Sequence, residues 1–279
     1  MDKDYYIYEY RHKVEMLDTV SSPRLIFVGG SNLAFGLESN LIEDSLKLNV
    51  INYGLHAGIG LKYMLDDIDK YLKRGDIVAI VPEYSHFYGC INGESPTLCE
   101  AFITNNYRSA IKLNFRQWIN IICGTSKYLK AQVLFKINNN KDPRVYLSSN
   151  FNSKGDEIRH YEFERLENIK PIELNEMDEQ AINYTAEVIN SWKNREIHTI
   201  LLPPTTIQSN YELNADKIDE LYSYMQAIGH PFAVPACSHV VPDSCGYDTP
   251  YHLTKSGADT FTQSLIMEFK TLIPKVQRL

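Results

Sequence analysis

Short unbroken apolar runs alternate along this chain with longer stretches in which apolar residues recur every three or four positions, a pattern that predicts strands separated by helices. Leu25-Ile26-Phe27-Val28 runs into Gly29-Gly30, Val50-Ile51-Asn52-Tyr53 into Gly54, and Ile77-Val78-Ala79-Ile80-Val81 into Pro82. Runs of this kind fit parallel strands buried on both faces. Between the second and third, Leu61, Met64, Leu65, Ile68 and Leu72 share one helical face, which makes a βαβ unit. The last third repeats the theme. A helix carrying Ala181, Tyr184, Val188 and Trp192 leads to the strand Thr199-Ile200-Leu201-Leu202, and a second with Ile218, Leu221, Tyr222, Met225 and Ile228 stops near Gly229. A short strand, Phe232-Ala233-Val234, and a closing helix with Phe261, Leu265, Phe269 and Ile273 follow. The expected fold class is α/β, a three-layer α/β/α arrangement around a parallel sheet of about five strands.

The stretch from about 95 to 165 departs from this rhythm. Its periodicity predicts a helix over 110–135. It then passes through Asn138-Asn139-Asn140-Lys141-Asp142-Pro143 and Ser148-Ser149-Asn150-Phe151-Asn152-Ser153-Lys154-Gly155, a density of turn residues that means loop. An insertion here sits near the carboxyl ends of the strands, where open sheets bind ligands, so it reads either as a helical cap over a site or as a peripheral decoration. No linker divides the chain, and 1–279 reads as a single domain.

With 279 residues, 44% hydrophobic and 23% charged, the chain has an ordinary globular balance. The net charge of -7 and the lack of an evident Lys/Arg stripe argue against a nucleic-acid or anionic-membrane partner. The longest apolar runs fall far short of the roughly 18 residues that cross a bilayer, so no stable membrane insertion of this chain is expected. Met1-Asp2-Lys3-Asp4-Tyr5-Tyr6 lacks the basic-then-apolar order of a signal peptide. That leaves a cytoplasmic protein, or an extracytoplasmic one whose signal or anchor has been trimmed. Five cysteines without a C-x-x-C pair disfavour zinc. Cys237 and Cys245 bracket a short loop and would either pair in an oxidising compartment or stay free thiols.

Two segments carry candidate chemistry. After the first strand comes Gly29-Gly30-Ser31-Asn32, which offers a serine hydroxyl at a strand-to-helix turn, near N–H groups that favour negative charge. The same serine also reads as a simple helix N-cap. Neither G-x-G-x-x-G nor a Lys-Ser/Thr phosphate loop is present. Before the last helix lies Asp248-Thr249-Pro250-Tyr251-His252-Leu253. An acid and a histidine on one loop can fix the tautomer that accepts a serine proton, although a lone loop histidine is often structural. The topology brings both segments to one sheet edge.

Gly29-Gly30-Ser31, the 52–58 stretch and the Asp248/His252 loop together resemble the blocks of the SGNH (GDSL-type) hydrolases, in order over nearly the whole chain apart from the insertion. The ending resembles bacterial envelope-associated members with D-x-x-Y-H-L. The resemblance implies a flavodoxin-like fold with Ser31 as nucleophile, His252 as base and Asp248 as its orienter. It also implies oxyanion donors at the Ser31 N–H and at a glycine, Gly58 first and Gly54 second. No metal or organic cofactor is implied. Three positions depart from the family pattern. Gly30 stands where the family has Asp, Thr249 where the orienting acid usually stands, and Glu83, in Pro82-Glu83-Tyr84-Ser85-His86, where an asparagine donor is usual. A carboxylate at position 83 would oppose an oxyanion, so Glu83 is expected to turn away into a hydrogen bond with backbone or a tyrosine. The other options are protonation or binding of a substrate cation or hydroxyl. His56 and His86 lie on loops at the same edge and also read as packing residues.

The function these residues point to is serine-dependent hydrolysis of an acyl ester, a carbohydrate O-acetyl group or a small-molecule ester among the candidates. Acyl transfer to a sugar or envelope polymer would use the same residues. A binding protein that kept the fold and lost catalysis is a separate expectation, and a dinucleotide or phosphate enzyme a more distant one.

Overall fold

The computed structural model describes residues 5–105, 107, 109–137 and 145–276, the side chains of 131, 132 and 135–137 aside. The first half runs through α1 (Glu9–Thr19), β1 (Arg24–Gly29), α2 (Ser31–Ala34), α3 (Ser39–Leu46), β2 (Asn49–Gly54), α4 (Leu61–Asp69), β3 (Ile77–Val81), α5 (Thr97–Thr104) and α6 (Phe115–Ile137). The second half adds α7 (Glu179–Lys193), β4 (His198–Leu201), β5 (Thr206–Ile207), α8 (Gln208–Leu213), α9 (Ala215–Ala227), β6 (Val240–Val241) and α10 (Lys255–Val276).

Strands β2-β1-β3-β4 form one parallel sheet, and alternate strand residues divide between two cores. Ile26, Val28, Ile51, Tyr53, Val78 and Ile80 meet α1, α4, α7 and α9 on one face. Leu25, Phe27, Val50, Ile77 and Ala79 meet Ile42 of α3 and Phe261, Leu265 and Phe269 of α10 on the other. These are the three layers the pattern predicted. The chain moves from β1 to β2 on one side and then to β3 on the other, so the carboxyl ends of β1 and β3 flank the switch point where such sheets bind ligands.

The expected strand Phe232-Ala233-Val234 does not form. Pro231 and Pro235 bracket it and leave few N–H groups for a ladder, and only the Ala233 N–H reaches the sheet, donating to the Leu201 carbonyl at 2.8 Å. Instead β5 and β6 pair in a separate two-stranded sheet. In the insertion, the helix expected over 110–135 is a short 3-10 turn at Ala110–Lys112 followed by α6. The break is a capping box: Asn114 Oδ1 accepts from the Gln117 N–H at 2.9 Å, and Gln117 Oε1 accepts from the Asn114 N–H at 3.1 Å. The loop 148–155 is present, apart from a 3-10 turn at Ser148–Asn150. The Asn138-to-Pro143 stretch lies outside the described residues.

Candidate active site

Register brings the site together. Gly29 at the end of β1 pairs with Gly54 of β2 and with Val81 of β3. Two residues further along each chain, Ser31 and Glu83 face each other across the crevice, with Ser31 Oγ 3.0 Å from Glu83 Oε1.

The histidine arrives from the other end of the chain. Loop 246–253 is closed by an antiparallel bridge between Gly246 and Leu253 and by the Tyr247 N–H donating to the His252 carbonyl at 2.8 Å. The Leu253 N–H then donates to the Phe35 carbonyl, just past α2, at 3.1 Å. From the insertion, His160 Nε2 lies 2.7 Å from the Leu253 carbonyl, with its Nδ1 on Glu157. This brings His252 Nε2 to 2.9 Å from Ser31 Oγ and its Nδ1 to 2.7 Å from Asp248 Oδ1. Thr249, at the usual acid position, instead accepts from the His252 N–H at 3.1 Å, so the acid one residue earlier reaches the ring. The Phe35 ring stacks on His252 at 4.1 Å and 12°.

Charge in the site follows from burial and from these bonds. Burial alone would raise Asp248, but the hydrogen bonds from His252 and from the Tyr146 hydroxyl, with the His252 charge, hold it below its usual value. Glu83 moves the other way. Burial raises it, and the opposing pull of His252 and of hydrogen bonds from Ser31 and Asn32 does not cancel that. Burial also lowers His56, with the His252 charge adding to the effect. The His56 Nδ1 accepts the Gly58 N–H at 3.0 Å, which leaves the ring's proton on Nε2. His86, fully buried, is lowered to about 4 by desolvation, and its Nε2–H donates to the Ala57 carbonyl at 3.1 Å.

Two expectations are corrected by this geometry, and one open alternative is decided. Glu83 accepts a backbone N–H, from Asn32 at 3.2 Å, but is not turned away: the same oxygen faces the Ser31 hydroxyl. The Gly58 N–H is engaged by His56 and the Gly54 N–H by Asn52 Oδ1 at 2.9 Å, so neither glycine points a free donor at Ser31. Cys237 and Cys245 are free thiols.

Ser31, His252, Glu83 and His56 open onto a cavity of about 590 Å³, walled by Tyr5, Tyr6, Phe35, Tyr146, Ile172 and Tyr251. The insertion contributes Pro96, Thr97, Glu100 and Tyr146 to that wall. Apart from Tyr251, which stands in the D-x-x-Y-H-L ending, the tyrosines and Phe35 carry no signal in the sequence, where their spacing is not periodic. Among the described residues no group of His, Cys, Asp and Glu has the arrangement to hold a metal ion, and no helix is long and apolar enough to cross a membrane.

No protein-family model matches this chain, and no curated protein matches it. Among solved structures it is similar to a Streptococcus pneumonia protein provisionally named a platelet activating factor, at 11% identity and TM-score 0.45, covering 94% of this chain and 91% of that one. It is also similar to a provisionally named acylhydrolase from Bacteroides fragilis, at 13% identity and TM-score 0.42, covering 94% and 95%. A third is a family two carbohydrate esterase from Clostridium thermocellum in complex with cellohexaose, at 12% identity and TM-score 0.40, covering 91% of this chain and 65% of that one. At such distances the chemistry has to be read from this chain's own side chains.

Proposed function

We propose that the protein cleaves acyl esters through Ser31, His252 and Asp248. The observation that carries this is the unbroken hydrogen-bonded line from Asp248 through His252 to Ser31, opening onto an apolar cavity. Ser31 Oγ attacks the ester carbonyl carbon while His252 Nε2 takes the hydroxyl proton. Collapse of the tetrahedral intermediate expels the alcohol, which leaves with that proton. Water repeats the sequence on the acyl-enzyme and frees the acid and Ser31. Phe35 holds the imidazole plane through the transfers. The 95–165 insertion acts as a cap that limits water, so a sugar hydroxyl is a competent second acceptor and acyl transfer uses the same steps.

Glu83 sets the protonation logic. The Ser31 hydroxyl has one proton and two neighbours that can accept it. With Glu83 ionised and His252 doubly protonated, the hydroxyl points at Glu83 and the base is spent. Moving that same proton to Glu83 frees His252 Nε2 to accept from Ser31. The two arrangements hold equal numbers of protons, and burial, which raises Glu83, shifts the balance towards the second. Glu83 neutral also removes a negative charge from the place where the oxyanion develops.

A second reading rests on the same carboxyl. An ionised Glu83 held by the Asn32 N–H fills the anion position itself, which suits a binding protein without turnover. A fluorophosphonate probe separates the two. Labelling of the wild type, lost in Ser31→Ala, supports the hydrolase. A native protein that takes no label, and gives no turnover of p-nitrophenyl acetate, supports the binding protein instead.

A further inference from the structure

Helix α6 carries an apolar stripe with no partner among the described residues. At about 100° per residue, Phe115, Trp118, Ile119, Ile122, Leu129 and Val133 fall within an arc of about 100°. Their exposure is high for such side chains: 78% for Phe115, 69% for Ile122, 57% for Leu129 and 56% for Val133. The stripe cannot turn inward, because the opposite face is already used. Gln117, Ile121, Gly124 and Tyr128 are buried there, and a Cβ on Gly124 would stand 3.0 Å from Cys99 Cβ of α5 and from Ser95 Oγ. An exposed apolar surface of this extent marks an interaction site.

Charge identifies the occupant. Segment 113–137 contains no Asp or Glu, so the net charge of -7 that argues against an anionic-membrane partner for the chain as a whole does not hold at α6. Arg116, Lys127 and Lys130 are exposed along one border of the stripe, without an ion-pair partner among the described residues. A second copy of the chain would bring like charges together along the helix seam, with no acid on α6 to answer them. An anionic surface answers all three. The combination of a broad apolar face, an aromatic residue and a basic border is that of a helix lying in a lipid interface.

We infer that α6 docks this protein onto an anionic lipid surface, lying in its plane with Phe115, Ile122, Leu129 and Val133 in the acyl boundary and Arg116, Lys127 and Lys130 among the headgroups. Because α6 packs on α5, and α5 supplies Thr97 and Glu100 to the cavity wall, docking places the cavity beside the lipid. This docking stands apart from the chemistry assigned to Ser31.

Co-sedimentation with vesicles tests it without any turnover. The wild type is expected to sediment with vesicles containing phosphatidylglycerol, more weakly with phosphatidylcholine alone, and to be released by salt. Lys127→Glu/Lys130→Glu should raise the lipid needed for half-binding by about thirtyfold or more, at roughly 1 kcal/mol per basic residue near such a surface. Ile122→Ser/Leu129→Ser should lose binding to both lipids. Thermal melting of each variant at the wild-type midpoint shows that the fold is kept. Wild type that stays in the supernatant, or variants that bind like wild type, would overturn the inference. So would a wild-type dimer that Ile122→Ser/Leu129→Ser converts to monomer, because the stripe would then belong to a second copy.

Discussion

A Cβ atom on Gly30 would stand 2.4 Å from Oε1 of Glu83, so the missing side chain of one residue makes the space that holds the carboxyl of the other. In the sequence these are two separate departures from the family pattern. In the fold they are one feature: the Glu83 carboxyl fills the space that a side chain at position 30 would take. The pair should therefore be coupled. Gly30→Ala is expected to destabilise the protein by about 1–3 kcal/mol through overpacking. In a Glu83→Ala background the same change should cost far less, with the difference read from urea unfolding of all four proteins. Additive effects would mean that the two residues do not share this space.

Glu83→Gln removes the negative charge and keeps the shape. Turnover of p-nitrophenyl acetate is expected to match the wild type where Glu83 is protonated and to exceed it where Glu83 is ionised and its charge opposes the oxyanion. The wild type should lose rate as pH rises through the raised pKa of Glu83, a limb the variant lacks. A fall of about a hundredfold or more with intact fold, the size of a lost general acid or base, would instead make the acid a participant.

Tyr146→Phe tests the second hydrogen bond on Asp248. Without the hydroxyl, Asp248 is held less firmly below its ordinary value and orients His252 less strictly. The expected loss in kcat is about tenfold, well short of the ~10⁴-fold that loss of a triad acid can reach in Asp248→Asn. Equal losses in the two variants would place Tyr146 among the groups that touch the reacting atoms.

His86 ties stability to pH. Unfolded, it takes a proton near 6.5; folded, only near 4. Between those values the unfolded chain binds the extra proton, so stability present above about 6.5 is lost as pH falls towards 4. The loss approaches about 3 kcal/mol for a group so deeply buried. His86→Gln, which keeps a donor for the Ala57 carbonyl, should flatten that part of a plot of Tm against pH. An unchanged slope would assign the acid sensitivity to other groups.

The layers were legible because burial on both faces leaves unbroken runs such as Ile77 to Val81, and burial on one face leaves periods such as Leu61, Met64, Leu65 and Ile68. Ser31 and His252 were legible because turn residues mark where strands end. The pairings that tune them were not. Tyr146 meets Asp248 across 102 positions, and the Gly58 N–H is taken by a side chain two residues away that reads equally as loop packing. The abundant tyrosines were silent for the same reason: Tyr10 and Tyr53 both donate to Asp67 Oδ2, at 2.8 and 2.7 Å, from elements with no local relation to it. The segment Phe232-Ala233-Val234 has strand composition, but its flanking prolines mattered more than its propensity.

The bond from the Leu253 N–H to the Phe35 carbonyl ties the last loop of the chain to the turn that holds the serine. During synthesis β1 to β4 leave the ribosome well before residue 252, so a sheet can assemble with Ser31 already at its edge and no base beside it. Residues 1–251 carry Ser31 without His252, so the pair, and any chemistry that needs both, forms only after position 252 has been made.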